Sequence, residues 1–478
     1  MYGCLHSMRP YDGTASWESD FCHAIASYME EIVALVRPTV GVFVACDGVV
    51  CAAKRRQQRL RRFKGPWISA SEAHWLGSKG PGQGVAERWD QNALTPGSAF
   101  MTKLNACLQK ASQELAARMG LTVMLSPTSE PGEGEHKLLA HMRHVTPTSC
   151  MIYGLDADLL LLSLLLMAET NADVYLLREA QEFERTSAQE EWKTLSIRAM
   201  AAAMKLGVEI PIQDFVASMS LLGNDFLPRS MTRTIRDDGI PQLLSSLVGK
   251  RMVVDGVLQS DAVLRLLREW AATEESDILT AARRTVREKY YPIRCDPEEL
   301  PMKEWQALPS RWATLSQLLV SENRDAVLRP DWRDIYRSWY AGTPAEYCQG
   351  LAWIWEYYSG HAIDHSWMFD HHLPPLWSDI VAYLESEGKG RGGPIVPPPI
   401  LYPEPLPEWL HLLAVLPADS VARLLPPHVQ RCMAKEPVYW PTRWSVFDVG
   451  RTQLWECEPI LPMLPEQVLR SFLDIVKK

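Results

Sequence analysis

Six carboxylates in four short stretches stand where divalent cations could be held. Asp47 closes the apolar run VGVFVAC, Glu133 and Glu135 alternate with glycines, Asp156 and Asp158 flank Ala157, and Asp225 follows Gly223-Asn224. Carboxylate oxygens are hard ligands that suit Mg²⁺ or Mn²⁺. Two such ions about 3.5–4 Å apart activate water and stabilise the leaving oxygen of a phosphate ester. Side chains two apart on extended backbone point the same way, so each pair is expected to present both carboxylates to one place. Gly132 and Gly134 leave room for a phosphate beside the backbone. A single acidic pair is commonly a solvated turn. Six carboxylates, all near apolar strands or helices, are harder to read that way. Asp158 directly precedes Leu159–Met167, where eight of nine residues are apolar, and a carboxylate there is costly unless solvated, paired or metal-bound.

Seven residues after Asp47 a cationic run begins: Lys54, Arg55, Arg56, Arg59, Arg61, Arg62 and Lys64, with no Asp or Glu between Gly48 and Ser71. Lys54, Gln58, Arg61 and Arg62 share one face of a helix, and Arg55 and Arg59 form a neighbouring stripe. A row of Lys, Gln and Arg offers forked donors to a terminal phosphate. A solvated basic face or a localisation signal is the plainer alternative. The short distance from Asp47 favours the phosphate. Carboxylates for metal beside cations for phosphate describe an enzyme that cuts phosphodiester bonds.

The elements that must position these groups alternate through the first half. Val40–Cys46 predicts a buried strand, Lys54–Phe63 a helix, 65–96 a loop-rich stretch, Phe100–Met119 a helix ending at Gly120, and Leu121–Leu125 a strand. His136–His144 predicts a helix, Ser149–Tyr153 a strand, Leu159–Met167 a helix, and Asp173–Arg178 a strand. Such alternation implies a parallel α/β sheet, with the site beyond the strands' carboxyl ends. Asp47, Glu133 and Asp156 all fall just after strands. The second half is mainly helical, with helices expected at Val257–Ala272 and Pro344–Tyr358, and a Gly/Pro-rich loop at 387–406.

Composition bounds the rest. The chain has 478 residues, 47% hydrophobic and 22% charged, with a formal net charge of −9. That is ordinary globular composition for one large or two ordinary domains. The net charge is the wrong test of phosphate binding, because local fields act on a phosphate. Ten cysteines without CxxC pairs argue against a zinc site or a disulfide framework and suit a reducing, intracellular setting, nuclear or cytoplasmic. The longest apolar run is too short to span a bilayer, and no signal peptide is visible, so no membrane partner is expected.

The segments ACDGVVCAAKRRQQRLRRF, LTPGSAFM, SEPGEGEHKLLAHMR, YGLDADLLLLSL, YLLRE and SLLGNDFLPR occur in the order and approximate spacing of the 5′→3′ exoribonuclease (XRN) family. GLAWIWEYYSG, SWMFDHHLPPLWSDI, LHLLAVLPADSVARLLP and VGRTQLWE resemble that family's second block. The likeness covers nearly the whole chain. It implies a parallel-sheet nuclease domain of the PIN/FEN type, residues 1–235, braced by a mainly helical domain, residues 236–478. It also implies a Mg²⁺- or Mn²⁺-dependent enzyme acting on single-stranded RNA with a 5′ monophosphate. Asp47, Glu133, Glu135, Asp156, Asp158 and Asp225 would be its catalytic metal ligands, and Lys54, Gln58, Arg61 and Arg62 its 5′-phosphate pocket. His6 and Trp367 would sandwich the first bases, a sequence-tolerant contact. Family members open with a strand ending in Asp-Met-Asn before the histidine, whereas this sequence starts at MYGCLH. A compact, divergent member lacking that strand is therefore expected. Its alternatives are a catalytically impaired 5′-phosphate RNA-binding protein and a flap-type DNA 5′-nuclease.

Overall fold

Local signals set the ends of the long helices. Thr14 caps α2 (Ala15–Val36) by accepting from the Trp17 N–H. Ser98 caps α4 (Ala99–Met119), and Gly120 closes it in the left-handed conformation. Thr343 and Glu346 form a reciprocal capping box at helix Pro344–Ser359, which satisfies backbone donors the helix itself leaves open. The computed structural model describes residues 2–75, 89–154, 156–180, 191–296, 299–323, 325–339, 342–386 and 392–476. The ten cysteines are free thiols. Among the described residues no helix is long and apolar enough to cross a membrane.

The chain divides into two compact units, each discontinuous in sequence. The first comprises Met1–Gly134, Ala282–Arg329 and Glu404–Lys478, the second Glu135–Ala281 and Pro330–Pro403. In the first unit, β1 (Gly41–Ala45) pairs in parallel with β2 (Thr122–Ser126). Helices α2 and α4 bury Trp17, Phe21, Phe100 and Leu104 in one cluster. In the second, β3 (Ser149–Tyr153) pairs in parallel with β4 (Asp173–Glu179), which pairs antiparallel with β5 (Trp192–Ser196). Helix α6 (Asp158–Thr170) buries Leu159, Leu162 and Leu164–Met167.

Three expectations are corrected. The alternating pattern predicts one parallel sheet, but the parallel pairs fall in two separate sheets and β5 is antiparallel. The buried strand expected at Val40–Cys46 is only partly covered, with Val40 and Met124 of β2 well exposed. The helix expected to stop at Phe63 continues as α3 (Ala52–Trp75) through Pro66. An internal proline costs about 3 kcal/mol or more. Contacts on both sides of the break offset it: Lys64 donates to the carbonyls of Trp455 and Cys457 at 2.7 and 2.8 Å. Trp67 packs at 5.2 Å from Trp444 and 6.0 Å from Trp305. Of the loop-rich stretch expected at 65–96, residues 76–88 lie outside the described residues.

One hydrophobic cluster of the first unit lies where α3 meets residues 404–478. Leu60 and Phe63 pack there with Leu410, Leu412, Leu413, Val415 and Trp440. His411 sits in this layer with no exposed surface, and neither ring nitrogen has a hydrogen-bond partner. Burial, followed by the charges of Arg55 and Arg62, holds its imidazole neutral, well below the ordinary histidine range. The unfolded chain therefore binds a proton that the folded chain refuses. Stability is complete above the ordinary histidine pKa and falls as the pH drops below it. Exchanging His411→Leu removes this dependence: the variant gains on the order of 1–2 kcal/mol over the wild type at pH 5 relative to pH 7.5, read by urea unfolding at both pH values.

Candidate metal and phosphate site

Two glycines bring the loop after β1 onto the turn before α5 (Gly134–Val145). The Gly48 N–H donates to the Gly132 carbonyl and the Gly132 N–H to the Val49 carbonyl, both at 2.8 Å. A Cβ on Gly48 would lie 1.9 Å from the Glu130 carbonyl oxygen, and Gly132 has φ of +101°. Asp47 is exposed, and its Oδ1 accepts from the Gly134 N–H at 2.7 Å. A carboxylate thereby sits on the positive end of α5.

Glu133 is buried immediately before α5, and Glu135 and His136 lie in its first turn. One ligand atom from each of the three falls within 4.8 Å of the others, the one such group of three or more among the described residues. The extended-backbone argument for the Glu133/Glu135 pair is corrected here, because a helix start, not a strand, gathers them. His136 joins the group by adjacency, a signal the sequence carried but spacing by two did not use. The two carboxylates are hard oxygen donors of the kind that hold Mg²⁺ or Mn²⁺, whereas the imidazole adds a nitrogen that suits softer ions. Lys54 places its Nζ 2.5 Å from Glu133 Oε2, with both side chains largely buried. An ammonium thus already supplies positive charge to this carboxylate.

Helix α3 divides its cations between two faces. Arg55 and Arg59 are buried. Arg55 Nη2 lies 2.7 Å from Glu466 Oε2. Arg59 donates to the Ala414 carbonyl at 2.7 Å and to the Tyr439 carbonyl, with its guanidinium over the Phe63 ring. Burial pulls its pKa down to about 9, so it stays charged near neutrality. On the adjoining face stand Lys54, Gln58, the exposed Arg61 and Arg62, which reaches Asn92 Oδ1 at 3.3 Å. Gln58 Oε1 is buried without a partner. The inward role of Arg55 and Arg59 was readable: Phe63 continues their i, i+4 stripe, and an aromatic there marks a covered face.

Asp156, Asp158, Asp225 and Trp367 lie in the second unit. Asp156 is exposed, and Asp158 is the first residue of α6, so this pair also straddles a helix start rather than a strand. Asp225 occupies a tight loop in which Asn224 Oδ1 accepts from the N–H groups of Phe226 and Leu227 at 3.0 and 2.9 Å. Gly223, at φ +87°, leaves no space for a Cβ against Arg229. Asp156, Asp158 and Asp225 form no ligand group among themselves. Trp367 is half-buried and stacks on Trp353 at 4.8 Å. Trp353 stacks on Tyr357 at 5.2 Å, and Tyr357 lies 4.0 Å from the His136 ring. Phe226, next to Asp225, meets Trp353 and Tyr357 edge-on, each at 5.5 Å. An aromatic column therefore ties Trp367 to His136 and to the Asp225 loop. Trp353 and Tyr357 sit four apart on one helix, spacing that would have exposed the column. His6 lies on α1 (Tyr2–Ser7), and its side chain is outside the described residues.

Over residues 1–180 the chain matches the family described as XRN 5'-3' exonuclease N-terminus. It is similar to 5'-3' exoribonuclease 1 of Homo sapiens, 27% identical over 94% of this chain and 30% of that protein. It is also similar to 5'-3' exoribonuclease 2 of Gallus gallus, 24% identical over 100% of this chain and 64% of that protein. The protein of that name from Yarrowia lipolytica is 31% identical over 51% of this chain and 30% of its own length. The chain thus spans less than two thirds of the length of these relatives.

The Gly48–Gly132 pairing is sterically closed. A methyl group in Gly48→Ala meets the Glu130 carbonyl and separates the loop carrying Asp47 from the turn carrying Glu133. The expected loss is at least about 2 kcal/mol, with a lower midpoint in thermal unfolding.

Proposed function

We propose that this chain is a Mg²⁺- or Mn²⁺-dependent 5′→3′ exoribonuclease acting on single-stranded RNA that carries a 5′ monophosphate. The observation that carries this reading is the Lys54–Glu133 contact of 2.5 Å. It joins the cationic face of α3 to the acidic turn within one unit, so a terminal phosphate and the bond beside it can be handled together. Lys54, Gln58, Arg61 and Arg62 bind the phosphate, the guanidinium forks matching its oxygens. A 5′ hydroxyl would offer these cations no anionic oxygens. Glu133 and Glu135, with Asp47, Asp156, Asp158 and Asp225, are the residues that would hold the ions. A bound divalent ion supplies Lewis acidity and a water of lowered pKa. Trp367, supported from behind by Trp353, offers its open side to a base, and His6 is the proposed partner across that base. The relatives' name, 5'-3' exoribonuclease, supports the same direction of attack.

A second reading has its own observation. The Lys54 ammonium rests on an oxygen that a metal would need. A chain in which it stays there would bind 5′-monophosphate RNA without cutting it.

Incubating 3′-labelled single-stranded RNA with Mg²⁺ or Mn²⁺ separates the two. The enzyme consumes the 5′-monophosphate strand, spares the 5′-hydroxyl strand and a DNA strand of the same sequence, and stops on adding EDTA. Binding of the monophosphate strand with no loss of label favours the binder. In Glu133→Gln, hydrolysis falls on the order of a hundredfold or more, the scale of losing one charge-stabilising group. RNA binding persists, and cleavage at the wild-type rate would remove Glu133 from the ligand set.

A further inference from the structure

The acidic partner of α3 stands 411 residues further along the chain. Glu466 is buried, accepts from Arg55 Nη2 at 2.7 Å through Oε2, and meets Arg470 through Oε1 at 2.9 Å. Arg470 in turn donates to the Glu404 carbonyl. Arg55 also donates from Nη1 to the Val50 carbonyl at 3.4 Å, in the loop that follows Asp47. A single guanidinium therefore joins that loop, the first turn of α3 and helix Glu466–Ser471.

Successive residues of an α-helix are about 100° apart around its axis. Arg55 and Arg59 accordingly form a stripe directly beside Lys54, Gln58, Arg61 and Arg62. Fixing the first stripe fixes the second. A rotation of about 10° carries side-chain atoms roughly 6 Å from the axis by about 1 Å, which is enough to spoil a forked contact with a phosphate. Arg59 holds one point of the stripe through two carbonyl groups, and the Arg55–Glu466 pair holds the other.

We propose that Glu466 is a positioning residue for 5′-phosphate recognition: through Arg55 it sets the rotation of α3, and with it the register of Lys54, Gln58, Arg61 and Arg62. This rests on the phosphate-pocket reading of that face. Glu466 touches no substrate, so its loss acts on discrimination of the RNA end.

The test measures binding of a fluorescent single-stranded RNA by the full chain in EDTA, where nothing is cut, with the same strand bearing a 5′ monophosphate or a 5′ hydroxyl. Wild type is expected to prefer the monophosphate. In Glu466→Gln the monophosphate Kd rises about tenfold, while the hydroxyl Kd stays within twofold. The Arg55→Met/Glu466→Met double variant removes the pair without leaving a lone buried charge, so it keeps the fold. It is expected to show the same loss of preference, no larger than that of the single variant. Wild-type preference in the folded double variant overturns the proposal. Equal weakening of both strands also overturns it, because general damage does not distinguish RNA ends. A wild-type chain indifferent to the 5′ group removes the phosphate pocket itself, and the role of Glu466 with it.

Discussion

Two arginine side chains buried on one face of α3 require partners, and supplying them organises the first unit. A guanidinium out of water is tolerated only when its charge and its donors are met. Arg55 meets Glu466, and Arg59 meets two carbonyl oxygens with the Phe63 ring beneath its guanidinium. These contacts hold residues 404–478 against a helix that begins at residue 52. The adjoining stripe of that helix carries Lys54, Gln58, Arg61 and Arg62, and its orientation is set by the buried arginines beside it.

The acidic turn depends on a comparable economy of backbone. Gly48 donates to the Gly132 carbonyl and Gly132 to the Val49 carbonyl, a Cβ on Gly48 has no room, and Asp47 then reaches the first N–H of α5. Lys54 closes the arrangement on Glu133. An ammonium and a divalent cation compete for one carboxylate, the ion with twice the charge. The ion pair stabilises the turn by itself, and its strength is also what an incoming cation must overcome.

Much of this was legible in the sequence. Helix ends marked by Gly120 and by Thr343-Pro344 fall at or next to the expected residues, because caps act locally. The one-face spacing of Lys54, Gln58, Arg61 and Arg62 survives because helical periodicity does not depend on tertiary context. What spacing misjudged was context. Glu133/Glu135 and Asp156/Asp158 are spaced like strand residues but sit at helix starts. Pro66 reads as a stop, yet packing beyond it outweighs the lost donor. A helix expected from Val257 begins at Ser260, after a hairpin turned by Asp255-Gly256, both with positive φ; that dipeptide was a direct hairpin signal. The interleaving of distant segments in each unit has no local signature. Beyond the four-residue spacing of Trp353 and Tyr357, neither has the aromatic column, whose other members come from residues 136, 226 and 367.

The span between Arg55 and Glu466 also sets a schedule for synthesis. The first unit needs residues from both extremes of the chain, so it cannot close while the ribosome is still translating the middle. At roughly 5–20 residues per second, the arginines of α3 wait some tens of seconds for Glu466 and the Ala414 and Tyr439 carbonyls. During that interval α3 has no fixed orientation, and its buried arginines find their partners only once Glu466 has left the ribosome.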